Sequence, residues 1–146
     1  MPEDIKRKVV DYLSDHHKMT LATATSDGRP LAHTVEYASD GATVYFLTTK
    51  GTRKTVNIAR NPRVAYAVDQ EYEDLAAIRG VQMENRATVL SDPRDVKRAT
   101  DVYLKKFPQF AAFLPSTTMV FVRLDPVAGF FLDYTKGFEH RDAVKY

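Results

Sequence analysis

The chain has 146 residues, with 21 Lys and Arg against 19 Asp and Glu, a formal net charge of +2, and no cysteine. A length of this order suits one domain that buries about two-thirds of its unfolded surface without help from a disulfide or a metal. Lacking cysteine, the sequence excludes disulfide scaffolds, thiolate zinc sites, iron–sulfur clusters and thiol nucleophiles; it suits a reducing cytoplasm, and any redox chemistry would need a borrowed cofactor.

The basic residues are scattered, which argues against nucleic acid as a partner and for a small anion met by a local group of cations. No apolar run approaches the length of a membrane span. The expectation is a single cytoplasmic domain over residues 1–146. Eight Tyr and eight Phe supply enough aromatic surface for a β-rich core and for a site that holds a flat ligand.

Ile5, Val9, Val10, Tyr12 and Leu13 recur at helical spacing between Glu3 and Ser14, which predicts an amphipathic helix capping the fold. Met19 to Thr25 reads as a strand, then the turn Ser26-Asp27-Gly28-Arg29-Pro30, a second strand from Leu31 to Ala38, and a turn at Ser39-Asp40-Gly41. Val44, Phe46 and Thr48 alternate as a third strand, so the expected start of the fold is a three-stranded meander.

A glycine-containing loop, Lys50-Gly51-Thr52, leads into a short helix from Arg53 to Arg60 that Asn61-Pro62 stops. Val64, Tyr66 and Val68 mark a fourth strand, and Leu75 to Leu90 a fifth, with a bulge expected at Gly80. Asp92 caps the clearest helix, Pro93 suits its first position, and Val96, Ala99, Val102, Tyr103 and Phe107 form its buried stripe. A short helical piece from Phe110 to Leu114 and two strands, Thr118 to Leu124 and Val127 to Tyr134, complete the pattern.

Thr52-Arg53-Lys54 places a hydroxyl and two cations at a helix start, where unpaired backbone N–H groups and the helix dipole already favour negative charge. That chemistry suits a phosphate monoester. The other reading is a solvated basic face of a short helix. No Ser, His and Asp grouping has recognisable motif spacing, and the adjacent His16 and His17 lack a partner at metal-ligand spacing.

The stretch from Leu21 to Val68, through Ser-Asp-Gly-Arg-Pro, Val-Tyr-Phe-Leu-Thr-Thr-Lys-Gly-Thr-Arg-Lys and Asn-Pro-Arg-Val, resembles the pyridoxamine 5′-phosphate oxidase-like family of FMN-binding split barrels. The resemblance continues through Gly80-Val81-Gln82-Met83-Glu84-Asn85-Arg86-Ala87 and covers most of the chain. It implies a mainly β, α+β fold with peripheral helices, an antiparallel split β-barrel that forms a homodimer and binds flavin mononucleotide.

Carried over residue by residue, the resemblance implies that Thr52, Arg53 and Lys54 hold the FMN phosphate and that Thr48 and Thr49 bond the ribityl chain or ring. It places Gln82 beside the isoalloxazine, whose N3–H and carbonyl edge suit an amide. His33 stands where oxidases of the family carry an arginine, and it is a candidate for phosphate or ring. In the tail, Lys136, His140 or Arg141 would bring positive charge to the flavin of the other subunit, and Phe138 would pack on a ring face.

The second strand, Leu31-Ala32-His33-Thr34-Val35-Glu36-Tyr37-Ala38, departs from the basic and apolar strand of the oxidases, and the chain is shorter than they are. The expected function is therefore an FMN-dependent oxidoreductase of unknown substrate, other than pyridoxamine phosphate. Alternatives are a non-catalytic flavin-binding electron carrier or redox sensor, a deazaflavin-binding relative, and a heme protein with His33 or His140 as ligand. No side chain stands out as a catalytic acid or base.

Overall fold

The structure is a computed structural model that describes residues 2–146, with side chains from residue 4 onward. Helix α1 (Pro2–Asp15) buries Val9, Tyr12 and Leu13 on one stripe, as its spacing predicts. Strands β1 (Lys18–Ala24) and β2 (Pro30–Glu36) form a hairpin in which Lys18 lies opposite Glu36 and Thr23 opposite Leu31. Its turn needs Gly28, which has φ 92°, a conformation that side chains with a Cβ rarely adopt.

A second hairpin joins β3 (Ala38–Asp40) to β4 (Thr43–Thr49), followed by α2 (Arg53–Arg60), β5 (Arg63–Val68), β6 (Arg79–Val89), α3 (Pro93–Lys106), β7 (Met119–Asp133) and β8 (Arg141–Lys145). The sheet runs β2-β1-β5-β6-β7-β4-β3, all neighbours antiparallel, with β8 added beside β7. The two end strands, β2 and β3, are consecutive in the chain and joined through Tyr37 alone, so the sheet has to curl until its ends meet. The result is an antiparallel half-barrel with peripheral helices, the split-barrel α+β architecture. Tyr37 sits fully buried at that seam and donates its hydroxyl proton to Leu13 O at 2.7 Å, fixing the end of α1 there.

Four local expectations are corrected. The third predicted strand, β4, does not extend the first hairpin; it pairs with β7, Phe46 opposite Val122, because the chain crosses the seam before β4 begins. The segment from residue 75 starts as a 3-10 turn (Leu75–Ala77), and the strand proper begins at Arg79. Gly80 is in register with Leu132, and the irregularity lies between Glu84 and Asn85. The last two predicted strands are one, β7, which passes Pro126 opposite Asn85 at that same irregularity, where a residue without an N–H is tolerated.

The inner face of the barrel packs Leu13, Met19, Leu21, Phe46, Met83 and Leu124 into one core, each of which contributes roughly 1.5–3 kcal/mol by leaving water. A second cluster, Tyr45, Leu90, Ala99, Tyr103, Phe107 and Phe121, lies outside the sheet under α3. The α3 cap forms as predicted: the Asp92 carboxylate accepts from Arg94 N at 2.8 Å.

Candidate functional site

The site is organised by the start of α2. Thr52 has extended backbone angles and occupies the cap position, but its side chain makes no capping bond, so the amides of the first turn are not closed off by it. No acidic residue stands in that turn, and among the described residues neither Arg53 nor Lys54 is held in an ion pair. Two cations thus stand at a helix amino end with no acidic residue in its first turn, an arrangement suited to an anion.

From Lys54 a groove of about 480 Å³ runs between β2, β4 and α3, lined by Thr34, Glu36, Thr48, Tyr103 and Phe110. Thr48 is buried at the end of β4, whereas its neighbour Thr49 points away and is exposed. Burial, and then the Glu36 carboxylate, push the Tyr103 phenol up to about 12, so it stays protonated near neutrality.

His33 projects from β2 on the same face as Leu31 and Val35. Its Nε2 lies 3.1 Å from Thr23 Oγ1, and Asn57 Nδ2, on α2, donates to that hydroxyl at 3.1 Å. Burial and then the charges of Lys54 and Arg53 hold the imidazole below its usual range. The fold therefore gathers Thr48, Thr52, Arg53, Lys54 and His33 in one region.

The other predicted residues lie elsewhere on the same chain. Gln82 is exposed on the outer sheet face and lines a separate cavity of about 350 Å³ with Tyr66, Phe130 and Ala143. The Arg141 guanidinium stacks 5.3 Å from the Phe130 ring centre, so Gln82, Phe130 and Arg141 share one patch. Lys136 Nζ and His140 Nε2 are turned to Asp142, at 3.6 and 3.2 Å. Phe138 is 84% exposed at the tip of the hairpin between β7 and β8, touching Tyr134 edge-on.

Sequence reasoning missed Thr34, Glu36, Tyr103 and Phe110. The polar residues of β2 alternate outward, Thr34 and Glu36 among them, which was a usable signal. Tyr103 reads as core in sequence because its helical stripe serves both the second apolar cluster and the groove. Among the described residues no group of three or more His, Asp or Glu side chains is placed to hold a metal, and no helix is long and apolar enough to cross a membrane.

Comparison with known proteins follows the same lines. The pyridoxamine 5′-phosphate oxidase family profile matches residues 5–131. General stress protein 26 of Bacillus subtilis (strain 168) is 40% identical over 62 residues, 42% of this chain and 44% of that protein, so the match spans less than half of either. In fold the chain is similar to a heme binding protein from Mycobacterium smegmatis, with TM-score 0.78 and 18% identity over 96% of this chain and 56% of that one. It is also similar to an FAD-binding protein from Mesorhizobium loti, with TM-score 0.65 and 23% identity over 81% of this chain and 86% of that one.

Proposed function

The chain belongs to the pyridoxamine 5′-phosphate oxidase family, and from that premise we propose that it is a homodimeric, cytoplasmic oxidoreductase that uses flavin mononucleotide. The observation that carries this reading is the pair of cations outside any ion pair, Arg53 and Lys54, at the amino end of α2, with Lys54 lining a groove of about 480 Å³. Arg53, Lys54 and the Thr52 hydroxyl hold the phosphate. Thr48 bonds the ribityl chain or ring edge, a role its outward-turned neighbour Thr49 does not share, and Tyr103 and Phe110 keep water from the ring. Charge-assisted bonds of this kind are worth roughly 1.5–3 kcal/mol each, enough in twos and threes for micromolar anchoring.

The second patch, Gln82, Phe130 and Arg141, has the chemistry of the missing half of the site: an amide for the ring's polar edge, an apolar contact and a cation near the pyrimidine. A dimer that brings the partner subunit's Gln82 and the partner subunit's Arg141 to the groove completes it, with Lys136, Phe138 and His140 on the adjoining hairpin. When bound, the flavin supplies hydride or electron transfer at its N5; the protein's own residues bind, orient and shield it. With His33 where oxidases have an arginine, the substrate is taken to be something other than pyridoxamine phosphate.

A heme reading has the M. smegmatis neighbour in its favour. Against it, His33 Nε2 faces Thr23 and His140 Nε2 faces Asp142. Titration of the purified protein with FMN, riboflavin and hemin decides among these. The expected result is saturable FMN binding at one per chain, riboflavin at least tenfold weaker, and reduction of the complex by NADH or NADPH under anaerobic conditions. Binding without reduction by either makes the protein a flavin carrier or sensor. A shifted Soret band on hemin with no FMN binding overturns the flavin reading, and failure of both directs the search to deazaflavin.

A further inference from the structure

Leu47 and Met119 line the groove on one side and, on the other, a larger open cavity of about 720 Å³ bordered by α2, α3, β4 and β7. Leu90, Leu104 and Phe121 give it apolar walls. Cavities of roughly 300–1,000 Å³ lined in this way take small organic molecules.

Three of the hydroxyls on its surface, those of Thr55, Thr100 and Ser116, are engaged with the protein. Thr100 Oγ1 donates to Val96 O at 2.7 Å, Thr55 Oγ1 donates to Thr52 O at 2.9 Å, and Ser116 Oγ accepts from Met119 N at 3.0 Å. Those hydroxyls are engaged and offer little specificity to a guest. No carboxylate lines the cavity, and Lys50 is its one charged residue, held in no ion pair among the described residues. The one charge that such walls offer a guest is therefore positive.

We propose that this cavity binds an amphiphilic organic acid, its anionic end at Lys50 and its aliphatic or aromatic body against Leu104 and Phe121. The site is distinct from the phosphate position at Arg53 and Lys54 and does not depend on flavin being the ligand there.

The test uses the environment-sensitive dye 1-anilinonaphthalene-8-sulfonate on the full chain, with decanoate, 2-naphthoate and decanol as competitors. The expected result is one dye site per chain, displaced by decanoate or 2-naphthoate at concentrations at least tenfold below those at which decanol displaces it; the better acid distinguishes an aliphatic from an aromatic body. Lys50→Gln should weaken the acid at least tenfold and leave decanol unchanged. Leu104→Trp, or Val96→Trp should the first variant fail to fold by circular dichroism, should abolish dye binding in the folded chain. Equal displacement by acid and alcohol, an unchanged Lys50→Gln variant, or dye binding that survives the tryptophan overturns the proposal.

Discussion

His33 Nε2 lies 3.1 Å from the hydroxyl of Thr23. That hydroxyl also accepts from the Asn57 amide at 3.1 Å and keeps its own proton to offer, so it can bond Nε2 of a neutral imidazole. Burial and the cations Lys54 and Arg53 favour the same uncharged form.

In a histidine NMR titration His33 is expected to change charge below its ordinary 6.5, and Lys54→Ala should move the midpoint upward by removing one repelling charge. The sign for stability follows from the depressed value. The unfolded chain binds the proton first, so the contribution of neutral His33 is complete above pH 6.5 and is lost as pH falls through the lower folded value. A midpoint unchanged by Lys54→Ala would show that the two side chains do not share a field.

Replacing both Arg53 and Lys54 by Ala should weaken FMN binding at least tenfold, about 1.4 kcal/mol, and leave riboflavin binding nearly unchanged. Fluorescence titration of both ligands measures the difference. Equal losses would remove these residues from the phosphate site.

At Gly129 the backbone of β7 leaves no room for a side chain against β6. A Cβ there would stand 2.1 Å from Gln82 O and 2.9 Å from Met83 Cα, both backbone atoms, whereas at Gly80 the nearest atom is Val68 O at 3.1 Å. Gly129→Ala should therefore cost about 3 kcal/mol or more and Gly80→Ala about 1 kcal/mol. Urea denaturation of the two variants gives the comparison, and similar midpoints would count against the tight contact.

Lys106 reaches from the end of α3 to the end of α1, donating to Leu13 O at 3.4 Å and to His16 O, with its ammonium 4.3 Å from the Tyr37 ring centre. Burial lowers its pKa from 10.5 to about 8, against the opposing pull of Asp15. The unfolded chain holds more protons between those values, so stability relative to Lys106→Met should rise with pH across that window and be fully gained above 10.5. Allowing for solvent screening of a half-buried group, the change is about 1 kcal/mol. Urea midpoints at successive pH values test it; a constant difference would mean that Lys106 titrates normally in the fold.

What could be read from sequence was local. Asp92 and Pro93 announce α3, Asn61-Pro62 ends α2, and Gly28 sets the first turn, because caps and turns depend on residues a few positions apart. The start of α2 at Thr52-Arg53-Lys54 was legible for the same reason. Strand partners were not: β4 reads as the sequel to β2, and only the packing of Phe46 and Val122 into a common core sends it to β7. Pro126 reads as a break because its tolerance depends on the irregularity across from it, at Asn85, 41 residues earlier, a distance no local pattern spans. Gln82 and Arg141 match a family pattern, but their distance from Lys54 within one chain is a property of the folded surface.

Strand β7 bonds β6 along one edge, and along the other it bonds β4 through Met119 to Leu124 and β8 through Ala128 to Leu132. During synthesis this makes the carboxyl-terminal third of the chain the last partner that two earlier strands require. Until it leaves the ribosome, β4 and β6 each present an unsatisfied edge able to recruit a neighbouring nascent chain, so production of this protein should be more sensitive to translational stalling before residue 119 than after residue 133.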